Sequence, residues 1–242
     1  MRSLLALSHR YFADGRDGPL PALLLAMTAA TGMVDAVSIL RLGHVFVANM
    51  TGNIAFVAFG LARAKGFSVS SSLTALIGFV VGAALAGWYR TSWDRAHLLG
   101  ASTVFKLCMS VPAVVIIATT GIPAGSLATY VVTALLAVSM GVQNASISRL
   151  AATHLSRTTV VTSTLTGLFV NLRTIGVRGT LTHDRMASLT FLFIGCVLGA
   201  AIVLASGPLA ALGVEIGLLT AVGVVAIAGA KADAYWAKFP AP

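Results

Sequence analysis

An α-helix needs about 20 consecutive apolar residues to cross a hydrocarbon layer roughly 30 Å thick. The chain has six runs of that kind, at roughly 20 to 40, 72 to 89, 99 to 119, 126 to 147, 187 to 206 and 209 to 229. Two shorter segments, 45 to 62 and 158 to 172, are also apolar but are interrupted. Asn49, Thr51, Gly52 and Asn53 break the first, and Thr162, Ser163, Thr164, Thr166 and Gly167 break the second. The pattern predicts an all-α polytopic membrane protein with six full transmembrane helices and two short discontinuous segments, of strand/half-helix or re-entrant character. Eight crossings are the alternative, if both short segments span.

Composition agrees. Of 242 residues, 57% are hydrophobic and 10% charged, with a mean hydropathy of +0.93, whereas a soluble domain carries about 25% charged residues. The net charge of +9 raises the question of nucleic acid. The basic residues stand singly at the ends of apolar runs and form no basic face, so they are read as orienting charges and nucleic-acid binding is not expected. The N-terminal run Leu4 to Leu7 ends at once in Ser8, His9 and Arg10, which does not fit a cleaved signal. Asp14 to Gly18 reads as a polar turn without the alternating acids of a calcium loop. Cys108 and Cys196 both lie inside spans and are read as small packing residues.

The chain also resembles itself. Gly32-Met33-Val34-Asp35-Ala36 is answered by Gly141-Val142-Gln143-Asn144-Ala145. Met50-Thr51-Gly52 returns as Leu165-Thr166-Gly167, and Ser72-Leu73-Thr74 as Ser188-Leu189-Thr190. Gly78-Phe79-Val80-Val81-Gly82-Ala83-Ala84 returns as Gly195-Cys196-Val197-Leu198-Gly199-Ala200-Ala201. Four matches in one order predict two membrane repeats, 20–119 and 126–230, between cytoplasmic tails 1–19 and 231–242. Each repeat is a span, a short interrupted segment, a span carrying Gly-x-x-x-Gly, and a further span. The Gly-x-x-x-Gly pairs read as close helix packing, because small residues let backbones approach where lipid supplies no hydrophobic drive.

Lys and Arg counts decide between parallel and inverted halves, leaving aside Lys106 inside a span. With eight crossings, Arg2, Arg10, Arg16, Arg63, Lys65, Arg173, Arg178, Arg185, Lys231 and Lys238 are inside, against Arg41, Arg90, Arg95, Arg149 and Arg157 outside, 10 to 5. With six, Arg90, Arg95, Arg149 and Arg157 move in while Arg63 and Lys65 move out, 12 to 3. The charge bias favours six crossings, inverted repeats and both termini in the cytoplasm.

The short segments share a grammar of β-branched residues, Thr-Gly and then an apolar helical run, which reads as extended backbone entering a half-helix. Non-helical backbone at membrane depth survives only where it is buried in protein or lines a watery cavity. Broken segments at matching places in two repeats point to a transport site, with half-helix N-termini aimed at the solute. The stretches Gly32 to Ser38, Val45 to Asn53 and Gly141 to Ala145 resemble the signature stretches of the YoaK-like family of uncharacterised bacterial integral membrane proteins. The resemblance covers nearly the whole chain beyond the N-terminal tail and departs at Thr162-Ser163-Thr164. It implies a cytoplasmic-membrane location and carries no activity.

The candidate chemistry therefore rests on residues. Asp35 lies deep in the first span, where an ionised carboxylate costs about 2.5–3.5 kcal/mol on insertion scales. It is either a cation or proton site coupled to conformational change, or a carboxylate capping the broken backbone near Thr51. Asn144 is its repeat mate and Gln143 stands beside it. Asn49, Thr51, Asn53, Thr162, Thr164 and Thr166 supply amides and hydroxyls to the presumed crevice, with backbone capping as the plainer role. Asn49-Met50-Thr51 also matches a glycosylation sequon, which carries no weight inside a membrane segment. Lys106 and Glu215 occupy nearly corresponding spans and read as a buried pair, gate or coupling relay; the plainer readings are a snorkelling Lys106 and a Glu215 at the rim. Trp88, Tyr89, Trp93, Tyr235 and Trp236 sit at span ends as interfacial anchors.

No nucleophile elbow, P-loop, His-Glu-x-x-His or Cys-x-x-Cys occurs, and His9, His44, His97, His154 and His183 lie in tails or loops without zinc spacing. An enzyme is not expected, and neither metal nor cofactor is implied. The sequence reads as a secondary transporter or permease for a small polar or anionic solute, its identity open, in the bilayer of the cytoplasmic membrane. A non-transporting scaffold, assembly partner or sensor subunit is the alternative. A homodimer is compatible with a chain of this length.

Overall fold

The computed structural model describes residues 17–88, 93–123, 125–150, 179–232 and 234–238, with the backbone alone for 179–185. The second interrupted segment, with Thr162, Thr164 and Thr166, lies outside the described residues. Those described form α1 (Leu20–Arg41), α2 (Met50–Leu61), α3 (Val69–Gly87), α4 (Arg95–Thr120), α5 (Leu127–Arg149), α6 (Gly179–Ser206), α7 (Pro208–Lys231) and a closing 3-10 turn, Tyr235–Ala237. Six helices are long and apolar enough to cross a membrane, and α2 is not among them. Its 12 residues extend about 18 Å at 1.5 Å each. Residues 45–49 before it are irregular, and no strand occurs among the described residues.

Local chemistry sets the boundaries. Ser68 and Ser126 cap α3 and α5 by accepting from the backbone N–H groups of Ser71 and Thr129, which satisfies donors that the first helical turn leaves free. Pro208 opens α7, where its missing N–H costs nothing. Gly121, at φ +66°, ends α4 in the left-handed region that glycine enters freely.

The helices pack crosswise. α1 lies along α6 and α3 along α5, while α4 packs on both α5 and α7, α7 also packs on α1, and α2 rests on α3. Glycines set the two tightest crossings. A Cβ on Gly82 would meet the Val138 backbone, and one on Gly141 the Phe79 carbonyl and Ala83 amide. In the other pair, Gly195 lies against the Ala29 backbone, Gly199 against Met33, and Gly32 against Leu192 and Cys196. Ala29 precedes Gly32 by three residues as Val138 precedes Gly141, and Val138 faces Gly82 while Ala29 faces Gly195. In the motif alignment, however, the mate of Gly82 is Gly199 and not Gly195. The two crossings thus use the same contact one helical turn apart.

Side chains tie the ends of the bundle. At one end Arg95 Nη1 lies 2.8 Å from Asp17 Oδ1. Trp236 packs on Gly18 and Gly229, and Arg149 Nη2 donates to the Gly87 carbonyl at 3.1 Å. Leu20, Leu24, Ala96, Leu99, Leu150, Ala226 and Trp236 share a core there. Leu42, Val45, Val47, Ile117, Ile122, Val132 and Leu212 belong to a second core. Beyond it, Ser70 Oγ and Tyr130 OH lie 2.9 Å apart. Residues 17, 87, 95, 149 and 236 therefore share one end, and 70 and 130 the other. The outer surface is apolar, with Ile77, Val80, Phe193, Leu204 and Val224 exposed, while Lys106, Glu215, Thr133 and Ser139 are buried. Apolar outside and polar inside is the arrangement that lipid as solvent requires.

Candidate functional site

The polar interior divides into two groups. The first surrounds the break before α2. Asp35, on α1, accepts from the backbone N–H groups of Val47 at 3.2 Å and Ala48 at 3.1 Å through one oxygen, Oδ1. Asn53, fully buried on α2, donates from Nδ2 to the Phe46 carbonyl at 2.6 Å and accepts from the Phe46 N–H at 3.0 Å. Ser38 Oγ donates to the Asp35 carbonyl at 3.0 Å. Irregular backbone inside an apolar bundle must find partners for its own polar groups. Here two side chains, reaching from α1 and α2, supply them over Phe46 to Ala48.

The capping alternative for Asp35 thus has a concrete form, although the amides it holds are those of Val47 and Ala48, ahead of Thr51. Asn49 and Thr51 are exposed, and Asn49, at the N-cap position of α2, makes no capping bond through its side chain. The structure does not bring them into contact with Asp35.

The second group lies about half-way along the long helices. Lys106, on α4, donates from Nζ to Gln143 Oε1, on α5, at 2.8 Å. The same nitrogen lies 3.2 Å from Glu215 Oε1, on α7. Gln143 Nε2 donates to Thr31 Oγ1, on α1, at 2.9 Å, and Thr31 Oγ1 donates to the Met27 carbonyl at 2.9 Å. Lys106 and Glu215 are both 0% exposed, so neither snorkelling nor a rim position describes them. Asp35 lies in the electrostatic field of Lys106. Ser110 Oγ stands beside the Glu215 carboxyl, yet the hydroxyl and both Glu215 oxygens lack a hydrogen bond of good geometry among the described residues.

Three helices therefore meet at one ammonium, and α1 joins them through Gln143. The network runs through Gln143 and not through Asn144, which matches Asp35 in the sequence comparison and is half-buried. Thr31 and Ser110 were not singled out from the sequence. A signal was present in their spacing: Thr31 precedes Asp35 by one helical turn and Ser110 follows Lys106 by one, so each shares a face with a charged residue. Among the described residues no group of three or more His, Cys, Asp or Glu side chains is placed to hold a metal ion.

Residues 23–225 match a family model described as "Protein of unknown function (DUF1275)". The chain belongs to this family. It is also 33% identical, over 150 residues, to the UPF0700 transmembrane protein YoaK of Bacillus subtilis (strain 168). That alignment takes in 62% of this chain and 64% of YoaK, so the chain spans less than two thirds of the length of this curated relative. No solved structure matches the chain. The resemblance carried by Gly32 to Ser38 and Val45 to Asn53 is thus shown. With six apolar helices and a transmembrane relative, this DUF1275 member is a multi-pass membrane protein. Asp35, Asn53, Lys106, Gln143 and Glu215 all fall within the matched region.

Proposed function

We propose that this DUF1275 member is a secondary transporter or permease for a small polar or anionic solute, with its centre at the Lys106–Gln143–Glu215 network. One observation carries the reading: a fully buried ammonium joined to side chains from α5 and α7 and, through Gln143, to α1. Intramembrane ionisable residues are costly, and they mark solute and ion pathways more often than packing. Lys106 supplies the charge for an anionic group and Gln143 the hydrogen bonds that orient it. Asp35 and Asn53 set the shape of the break, leaving Asn49 and Thr51 exposed at the start of α2; Thr162, Thr164 and Thr166 are the corresponding groups of the second half, and Asn144 flanks Gln143. No catalytic step is part of this reading.

The helix packing supports an inverted duplication. Exchanging α1 with α5, α3 with α6 and α4 with α7 turns the α1–α6 contact into α5–α3 and the α4–α5 contact into α7–α1, and it returns α4–α7 to itself. Such a scheme lets one half rock against the other about a central site. The shared end of residues 17, 95 and 236 supports six crossings, because an even number of spans must separate residues at one face. The charge bias then places both termini in the cytoplasm of a bacterial inner membrane.

A non-transporting scaffold, assembly partner or sensor subunit is the second reading, favoured by the engagement of Asp35 and Asn53 with backbone. The test is thermal unfolding of the purified protein in detergent against a panel of small anions and polar metabolites, wild type beside Lys106→Met. A solute that binds the folded state at 100 times its Kd stabilises it by about 2.7 kcal/mol. A shift with one solute class, lost in Lys106→Met, supports transport. No shift with any solute sinks the transport reading and leaves the scaffold.

A further inference from the structure

The charges of the central network do not balance. Among the described residues, Asp35 and Glu215 are two carboxylates, and Lys106 is the one ammonium set against them. The remaining described groups facing the cluster change nothing in that count. Thr31 on α1, Ser110 on α4 and Gln143 on α5 are neutral, and Cys196 on α6, which lies in the field of Asp35, carries no positive charge. Fully ionised, these described groups hold one net negative charge within an apolar bundle, where an uncompensated charge is strongly disfavoured.

A second deficit stands at Glu215 itself. Its Oε1 faces the Lys106 ammonium at 3.2 Å, whereas Oε2 and the neighbouring Ser110 hydroxyl are buried without a hydrogen bond of good geometry among the described residues. Buried polar atoms are seldom left in that state, and such atoms mark a ligand, water or ion that completes them. One proton removes both deficits. Carried on Glu215 Oε2, it turns an acceptor into a donor toward Ser110 Oγ and brings the cluster to neutrality, with Lys106 balanced by Asp35. Asp35 is the poorer carrier, because its Oδ1 accepts two backbone N–H groups and a proton on Oδ2 would weaken both from charge-assisted to neutral bonds.

We propose that Glu215 is a proton-binding site within the membrane: as the neutral acid it keeps Oε1 beside Lys106 while Asp35 balances the charge of the ammonium, and as the carboxylate it becomes the counterion of Lys106 itself. The step balances simply: an O–H bond forms between a Glu215 oxygen and a proton from water at one face, and the same bond breaks to release that proton, while Lys106 stays an ammonium throughout. A solute cycle that changes which carboxylate carries the charge opposite Lys106 thereby moves a proton. The inference deepens the transport reading, on which the coupling rests; the protonation itself stands apart from it.

Glu215 is the only glutamate in the chain, so carboxyl-labelled 13C-glutamate reports on this one side chain. The experiment is solid-state NMR of the labelled protein in lipid vesicles at neutral pH, wild type beside Asp35→Asn. The expected wild-type signal is that of a neutral carboxyl. In Asp35→Asn the competing charge is gone, Glu215 becomes the counterion of Lys106, and the signal moves to the carboxylate position. A carboxylate signal in the wild type overturns the proposal without recourse to any variant. A neutral signal that Asp35→Asn leaves in place also overturns it, because the proton then does not answer to the charge balance. A neutral signal that responds to Asp35→Asn, with no solute stabilising the protein, keeps the proton site and discards the transport reading; the reverse pair of results does the opposite.

Discussion

Replacing Asp35 separates an anchor from a coupling group. Its Oδ1 is the acceptor for two backbone N–H groups, those of Val47 and Ala48, and Val47 is fully buried. Asp35→Ala leaves both donors without a partner, and at about 1–3 kcal/mol for each unsatisfied buried group the loss is roughly 2–6 kcal/mol. Ala48 is half-buried, so water relieves part of its share and the lower half of that range is expected. Asp35→Asn keeps a carbonyl oxygen in place and weakens two charge-assisted bonds to neutral ones, about 1 kcal/mol apiece. The expected order of stability is wild type, then Asn about 2 kcal/mol lower, then Ala lower again. Equilibrium unfolding in mixed micelles gives the order. Amide hydrogen exchange at Val47 and Ala48 gives the location, with faster exchange in the Ala variant. An Ala variant that unfolds with the wild-type midpoint and protects both amides equally would refute the anchoring argument, and Asp35 would return to the coupling role its depth in α1 first indicated.

Three further outcomes rest on the packing and the charges. Gly82→Ala drives a Cβ into the Val138 backbone, which cannot swing away as a side chain can, and should cost about 1–3 kcal/mol by overpacking; Gly217→Ala, with no described atom within 4 Å, should be neutral or gain up to about 1 kcal/mol of helix propensity, and equal effects in an unfolding assay would contradict the α3–α5 contact. Lys106→Met leaves the buried carboxylates without their ammonium and should cost about 3–5 kcal/mol; with Glu215 already neutral, adding Glu215→Gln should recover little of it, and a double variant restored to near wild-type stability would show that Glu215 is ionised in the resting protein. In a background without Cys108 and Cys196, Lys65→Cys and Lys238→Cys should label from opposite faces of sealed vesicles, since residues 65 and 238 lie beyond opposite ends of the bundle, and labelling from the same face would restore eight crossings.

Much of this protein is legible without coordinates. Six long apolar runs amid 10% charged residues dictate six buried helices, because lipid admits few other ways to satisfy a backbone. The boundaries differ by a few residues. α3 begins at Val69 under its Ser68 cap and not at Ser72, and α4 begins at Arg95, whose buried head is paired with Asp17, so a charge that had marked the end of an apolar run is part of the helix. Lys106 and Glu215 were visible as oddities in apolar runs, with a buried pair as one of several readings, and the packing of α4 on α7 brings them together.

The tertiary structure decided partners. Sequence spacing joined Asp35 to Asn144 by symmetry of position, but hydrogen bonds are satisfied by neighbours in space, and the neighbours of Asp35 are the backbone amides of Val47 and Ala48 beyond the end of its own helix. Gln143, one position from the repeat mate, faces Lys106, because a single residue turns a helical side chain by about 100°. The duplicated Gly-x-x-x-Gly motifs announced close packing without saying which helix each meets, or that the two crossings slip by one turn. A sequence sets which side chains are too polar for lipid; only the crossing of α1, α4, α5 and α7 determines which of them find one another there.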